Sequence, residues 1–444
     1  VLAIYRDAEG TLWVGTESGL SEWRDAVSGF LTYRNVADDR RSLANDRVNA
    51  IMQDATGVLW VATHGGVSHW NYVSDTFRYY DKESGLLGSE IATALAQARD
   101  GALWIGTYGG GLTRLAPDGT ASHFRFASND SGSLSDDRVM VIHVDGDDTV
   151  WVGTRTGGLN RLETSTGTFT RFQHDPDRPD SLSGNAITSI HSDSRGTLWV
   201  GVFQGGINKA DLSDPSSFQR FRHDPADPTT LSSDRVLSIV SDSDGVVWAG
   251  TETAGLNRFD ESSGGFSRIP VRTPGMAEGA MGTPWEIVEA RDGSFWIGTQ
   301  EQGLLQWPAD ARRSATPVFR TDLTTSLPTT VYGVVTAGPR ELWVSSSSGL
   351  HRFDPSTGAV AHFDHRDGLR GVDFTLGSRL RSRDGRILFG GTAGVVDFYP
   401  AELRFNDMPP RVAIAAHLRD DRLAAVAANG RDGAVSIGYL DPFI

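Results

Sequence analysis

Apolar residues along this chain come in short runs separated by polar turns, and one arrangement of runs keeps returning. Residues 138–175 show it clearly. "RVMVIHVD" is an apolar run of the kind a buried inner strand needs, and "TVWVGT" follows a polar turn. "GGLNRLE" alternates after a glycine pair, and "TFTRFQHD" alternates as a half-exposed outer strand does. Alternation with a period of two marks strands, and no helical period intervenes. The pattern predicts four short antiparallel strands per unit, with the glycine pair at the turn from the second to the third.

The unit recurs nine times. Its most regular phrase reads "GTLWVGTESGL", "GVLWVATHGGV", "GALWIGTYGGGL", "DTVWVGTRTGGL", "GTLWVGVFQGGI", "GVVWAGTETAGL", "GSFWIGTQEQGL", "RELWVSSSSGL" and "GRILFGGTAGV". The aromatic anchors are Trp13, Trp60, Trp104, Trp151, Trp199, Trp248, Trp296, Trp343 and Phe389, spaced 47, 44, 47, 48, 49, 48, 47 and 46 residues apart. Eight of the 12 Trp residues hold this one position, so chance is excluded. Four-stranded units at this period describe the blades of a β-propeller, an all-β fold. The anchor Trp is predicted to wedge between neighbouring blades, a packing role rather than ligand contact.

The repeated pattern V-x-x-I-x-x-D-x-x-G-x-L-W-V-G-T-x-x-G-G-L-x-R-x-D is clearest over 139–161, 187–209 and 236–260. It resembles the two-component regulator propeller repeat, and the resemblance runs over about residues 1–400. It implies the periplasmic, ligand-sensing part of a bacterial membrane receptor. A cytoplasmic histidine kinase or diguanylate cyclase would lie downstream, and the full receptor would be a homodimer. Residues 367–423 resemble the family's closing blade and its exit, and "GAVSIGYLDPFI" resembles the start of a triple-tyrosine β-sandwich. The opening "VLAIYRDAEG" has no Met, basic segment or long apolar core, so the chain is expected to be a fragment. Membrane attachment would come only through a helix beyond Ile444.

Seven anchors counted back from Phe389 end at Trp104. The expected division is therefore the last two blades of an earlier ring at 1–85, a seven-bladed ring at 86–405, and a linker with a truncated sandwich at 406–444. The joint is expected near 81–92. The alternative is one ring of eight or nine blades, because a two-blade stub leaves apolar faces wet. Irregular stretches at 268–293 and 309–319 map to loops.

Charge and composition narrow the function classes. A net charge of −15 repels phosphate backbones, so nucleic acid is not an expected partner. The absence of Cys excludes disulfides, thiol nucleophiles and Cys-bound zinc. No run reaches the length of a membrane helix.

Candidate ligand contacts follow from the topology of a blade. The second-to-third turns and the links between blades emerge on one face, around the central funnel. The turns supply Glu17, His64, Tyr108, Arg155, Phe203, Gln204, Glu252, Gln300, Glu301 and Ser347, which vary while their surroundings repeat. The links repeat an Asp–Arg pair at Asp46–Arg47, Asp137–Arg138 and Asp234–Arg235. Each Arg either reaches into the funnel or pairs with a neighbouring blade while its Asp caps the turn, and the second reading is favoured. Tyr108, Phe203 and Trp285 among acids and amides suit a small molecule or an oligosaccharide, because aromatic faces stack on sugars and polar groups bind hydroxyls.

A carbohydrate-active lyase or glycosidase and a protein-interaction platform are the rival readings. The chain carries no phosphate loop, nucleophile elbow or dinucleotide fingerprint, and its 56 acidic residues single out no catalytic pair. "SDSRGTLW" and "SDSDGVVW" approach a turn found in propeller glycosidases, but Ser194 and Ser243 stand where that turn has Asp. No catalytic residue, cofactor or metal site is expected. "HFDHRDG", with His362, His365 and Asp367 near His351, reads as a solvated edge, and "DGDD" at 145–148 lacks the spacing of a dedicated calcium loop.

Overall fold

A computed structural model describes residues 1–8, 10–26, 29–37, 42–54, 58–70, 77–271, 282–313, 318–321, 324–403, 416–419 and 422–425. The chain divides into two compact units, 72–404 and 1–71 with 405–444. Nearly all regular structure is strand, and short 3₁₀ turns are the only helical elements among the described residues.

The larger unit contains seven sheets. The Trp151 blade is typical: Val139–Val144, Val150–Thr154, Leu159–Glu163 and Thr168–Phe172 pair in chain order, each antiparallel to the last. The innermost strands pack one against the next in a closed cycle. The Trp296 blade has three described strands and a single further bridge, Gln306 to Arg320.

The cycle is closed by a strand from the other end of the chain. Phe374–Arg381, Ile387–Gly391 and Gly394–Phe398 form the inner three strands of the Phe389 blade, and Arg78–Tyr80 supplies its outer strand. Tyr80 donates its hydroxyl to Asp397 at 2.7 Å, Arg386 pairs with the same fully buried carboxylate at 2.7 Å, and Arg370 pairs with Asp81 at 2.6 Å. Sequence periodicity placed 78–80 in the preceding ring, ahead of a boundary at 85. The structure puts these residues in the last ring sheet, because an outer strand drawn from the other terminus ties the two ends together.

Trp151 and Trp199 pack against the neighbouring blade. Trp151 is 1% exposed and lies in one apolar cluster with Ile187, Ile190, Leu198 and Val200 of the next blade. Trp199 does the same with Val236, Ile239 and Val247. An indole buried this way must also satisfy its N–H. Trp151, Trp199 and Trp248 donate to Asp145, Asp193 and Asp242 at 2.9, 2.9 and 2.8 Å, each Asp lying six residues earlier in the turn. The other carboxylate oxygen takes a backbone N–H, from Thr149, Thr197 and Val246 in turn. One carboxylate thus closes the turn and orients the wedge.

A second set of polar pins holds the links between blades. Fully buried Asn160, Asn208 and Asn257 on the third strands accept the backbone N–H of Ser135, Ser183 and Ser232. Arg171, Arg220 and Arg268 on the outer strands donate to carbonyls of the links before their own blades. At the second-to-third turn Gly206 has φ +74°, and a Cβ there would collide with the carbonyl oxygen of Phe221.

Unit 1–71 holds two sheets. Ala3–Arg6, Leu12–Thr16, Gly19–Asp25 and Gly29–Tyr33 form one; Val48–Gln53, Leu59–Thr63 and Gly66–Trp70 form the other. Trp13 is fully buried against Trp70, with ring centroids 5.0 Å apart. Trp60 is 39% exposed although its N–H bonds Asp54 at 2.7 Å. Beyond residue 403 the structure describes one strand pair, Ala416–Arg419 with Arg422–Ala425, and "GAVSIGYLDPFI" lies outside the described residues.

Two measurements test this account. Asp193→Ala strands the Trp199 N–H and a backbone amide, and should lower the unfolding free energy by about 1–3 kcal/mol in urea titrations. His143 sits on an inner strand with Nε2 2.8 Å from the Ser192 hydroxyl, and burial, then His191, pushes it down to about 4. Between about pH 6.5 and 4 the unfolded chain takes a proton that the folded one refuses, so stability falls as pH drops. His143→Gln should remove up to about 3 kcal/mol of that pH-dependent loss, read as the difference between the two proteins' unfolding curves.

Candidate ligand-binding face

Each second-to-third turn is stitched to the link that enters its own blade. The first turn residue donates its backbone N–H to the link carbonyl: Tyr108 to Ile91 at 2.9 Å, Arg155 to Arg138 at 3.0 Å, Phe203 to Ala186 at 2.8 Å, Glu252 to Arg235 at 2.9 Å and Gln300 to Thr283 at 3.3 Å. The regular ladder therefore fixes the backbone of this face and leaves its side chains free to differ.

Two aromatic–arginine pairs emerge, each joining one blade to the next. Tyr108 and Arg138 meet through an antiparallel backbone bridge, whereas the Arg235 guanidinium lies over the Phe203 ring, 5.3 Å from its centroid. Arg235 also meets Glu252 at 2.5 Å, so Phe203, Arg235 and Glu252 form one cluster. Tyr108 and Phe203 remain 37% and 39% exposed, and among the ring's described aromatics Phe126 shares that state at 46%. The remaining guanidinium nitrogens of Arg235 have no partner among the described residues. An exposed ring backed by a cation and flanked by a carboxylate can stack on an apolar face while bonding hydroxyls or anions beside it.

Arg138 is more tightly committed. It makes two bonds of 3.0 Å to Asp136 in its own link and one of 2.7 Å to Thr156. Burial alone would raise the Asp136 carboxyl, but Arg138, a backbone amide and Thr156 outweigh it and hold the group below its ordinary value. The partner is thus a link residue two positions away, not a neighbouring blade. The Asp of each link pair ties the two ends of its link rather than capping its own turn: Asp46, Asp137 and Asp234 accept the N–H of Asn35, Phe126 and His223, eleven residues earlier, at 2.6, 2.7 and 2.7 Å.

The other turn residues sit on the same face without joining these clusters. Arg155, Gln300 and Glu301 are exposed. Gln204 has φ +61°, a left-handed conformation that costs a non-glycine residue about 1–3 kcal/mol. Trp285 lies on an inner strand, stacked on Tyr332 of the next blade at 5.7 Å and 12°. Beside this stack, Arg379 of the Phe389 blade reaches Glu286 of the Trp296 blade, passing Gly333 of the blade between them. This pair and Tyr332 escaped sequence reasoning. Gly333 breaks the pattern at its position, and that was the available signal.

No group of three or more His, Asp or Glu is placed to hold a metal among the described residues. His351 and His362 stack across adjacent strands at 4.7 Å, and burial, then His362, pushes His351 down to about 4. In "SDSRGTLW" and "SDSDGVVW" the indole acceptors are Asp193 and Asp242, one residue before the serines that the glycosidase comparison singled out.

Comparison with known proteins places these repeats. The two component regulator propeller model matches residues 1–18, 42–65, 85–109, 181–204 and 230–253. Histidine kinase P4 of Formosa agariphila is 32% identical over 84 residues, 19% of this chain and 6% of that protein. Two solved extracellular domains from B. thetaiotaomicron, each described as part of a hybrid two component system, share the fold. BT3049 aligns with TM-score 0.69 and 21% identity over 99% of this chain and 61% of its own. BT4673 aligns with TM-score 0.62 and 20% identity over 96% and 56%. A streptogramin B lyase also aligns, with TM-score 0.54 and 15% identity over 73% of this chain and 98% of its own. The chain thus spans about three-fifths or less of the extracellular domains it matches and a small part of the kinase. Five stretches of this chain match the two component regulator propeller repeat.

Proposed function

We propose that this chain is the extracytoplasmic, ligand-sensing propeller region of a bacterial two-component receptor. The observation that carries the reading is the Phe203–Arg235–Glu252 cluster with its counterpart at Tyr108 and Arg138. These are varied, half-exposed side chains on a backbone that otherwise repeats. The repeat family and the kinase relative support a sensing role. The ligand class that suits the face is a small molecule or an oligosaccharide. Signal transfer would follow from a ligand's unequal affinity for two arrangements of the dimeric receptor. A triple-tyrosine sandwich, a membrane helix and a kinase or cyclase would continue the chain, which places this region in the periplasm. No catalytic role is assigned to it.

Within this reading, residues 1–71 are the last blades of another ring. Ile4 is 67% exposed, whereas its ring counterparts Ile142, Ile190 and Ile239 are 8, 6 and 4% exposed. With Trp60, it marks two blade faces built to be covered.

A glycan and metabolite panel read by thermal shift tests the ligand class. A binder should raise the melting temperature of the wild type and not of the Tyr108→Ala/Phe203→Ala double variant. Arg235→Ala should weaken binding roughly tenfold. An unchanged shift in both variants would place the ligand elsewhere. Turnover of the binder would favour the lyase or glycosidase reading.

A further inference from the structure

The acceptor Asp is missing from three ring blades, those of Trp104, Trp296 and Trp343. Six residues before Trp104 stands Ala98, where the Trp151, Trp199 and Trp248 blades have Asp. Trp104 is 1% exposed, and its Nε1–H has no partner among the described residues. The Trp296 and Trp343 blades also have Ala at this position, Ala290 and Ala337; Glu341 accepts the Trp343 indole N–H at 2.8 Å, and of the two remaining indoles it is Trp104 whose nitrogen is both buried and unpartnered. No such substitute reaches Trp104. Asp100 is the nearest carboxylate in the turn, and it is committed to the Ala102 N–H at 2.9 Å and to Arg114 at 2.5 Å.

A cleft of about 480 Å³ opens at this point, between the Trp104 and Trp151 blades. Trp104, Arg114, Ser122, Thr164 and Ser165 line it, together with the carboxylates Asp100, paired with Arg114, and Asp148, which accepts the Arg99 backbone N–H. It belongs to the face of the first-to-second turns, opposite the funnel. Its size suits a small ligand. Its lining offers what the missing side chain leaves over: a buried donor without an acceptor, a guanidinium with nitrogens to spare, and three hydroxyls.

We propose that this cleft binds a small hydroxylated carboxylate, sugar acid or hydroxy acid alike. The ligand carboxylate takes the place that the Asp side chain holds in the sister blades. It accepts from Trp104 Nε1 and from Arg114, and its hydroxyls meet Ser122, Thr164 and Ser165. A charged acceptor is favoured because donors that include a guanidinium bond carboxylates more strongly than neutral oxygens.

The indole N–H resonances of the ¹⁵N-labelled protein give the test, with the Trp104 signal identified by its loss in Trp104→Phe. D-glucuronate and D-glycerate are titrated against glucose and glycerol as neutral counterparts. At least one acid should shift the Trp104 resonance saturably, and the neutral compounds should not. Ala98→Asp supplies the acceptor covalently, so it should abolish that shift and raise the melting temperature. Ala98→Leu should abolish the shift without the gain in stability. The Tyr108→Ala/Phe203→Ala variant should respond as wild type does, which separates this site from the funnel. The proposal is overturned by the absence of a saturable shift with both acids, by equal shifts with the neutral compounds, or by a shift that survives in Ala98→Asp.

Discussion

The fold depends on how a buried indole is kept polar at one corner. A wedge residue between two sheets has to be large, flat and apolar to fill the gap, and Trp meets that need at the cost of one N–H donor. Trp151, Trp199 and Trp248 hand that donor to an Asp in their own turn, and the same Asp fixes the turn through a backbone amide. The wedge is therefore oriented before the next blade arrives. Each blade can pack on the next by the same rule, and an angular repeat follows. At Trp60, which is 39% exposed, the hydrogen bond to Asp54 persists without that burial. Orientation is thus local to the blade, and the apolar gain is shared between blades.

This division explains what was legible in sequence. Wedge, glycine turn and strand alternation are local, so they recur at a fixed spacing and could be read from one chain. The Asp six residues before Trp13, Trp60, Trp151, Trp199 and Trp248 was equally visible, yet it reads as ordinary turn chemistry, because sequence does not show that the indole bends back to meet it. Long-range pairings leave no period. The strand Arg78–Tyr80 pairs with Gly394–Phe398, more than 300 residues away, and nothing in "RYY" announces its partner. The Glu286–Arg379 pair crosses an intervening blade and depends on Gly333 lacking a side chain. The candidate face was legible as a set of turn positions but not as pairs. Phe203 meets Arg235 because the turn of one blade lies beside the link of the next, whereas Arg138 turns back to Asp136.

Closure of the ring bears on how such a region would relay a signal. The outer strand of the last sheet comes from the start of the unit and is held by Asp397, which lies fully buried between Tyr80 and Arg386. A buried charge with two partners tolerates little displacement, because loss of either partner leaves the other exposed to a low-dielectric cost. The ring is therefore expected to respond to a ligand as a body rather than by opening between its first and last blades. In the proposed sensor the surface side chains would carry the specificity, and the backbone none. That separation lets turns such as Phe203–Gln204 change without disturbing the ladder beneath them.

In a chain built from copies, departures from the copy are more informative than the consensus. Three departures stand out, and they resolve differently. In the Trp248 blade a foreign cation, Arg312, enters from the loop after the next blade's third strand, pairs with Asp242 and Glu289, and lies 3.9 Å from the Phe295 centroid. That position over the wedge is held elsewhere by a cation of the blade itself, Arg161 or Lys209. The departure is thus absorbed by packing. At Gly333 a lost side chain is filled by Arg379, which again leaves a paired charge. At Ala98 the lost carboxylate is replaced by nothing from the chain, and the space stays open beside a buried donor. Compensation inside the fold marks a structural substitution. Its absence beside the buried Trp104 donor is what the proposed ligand carboxylate would make good.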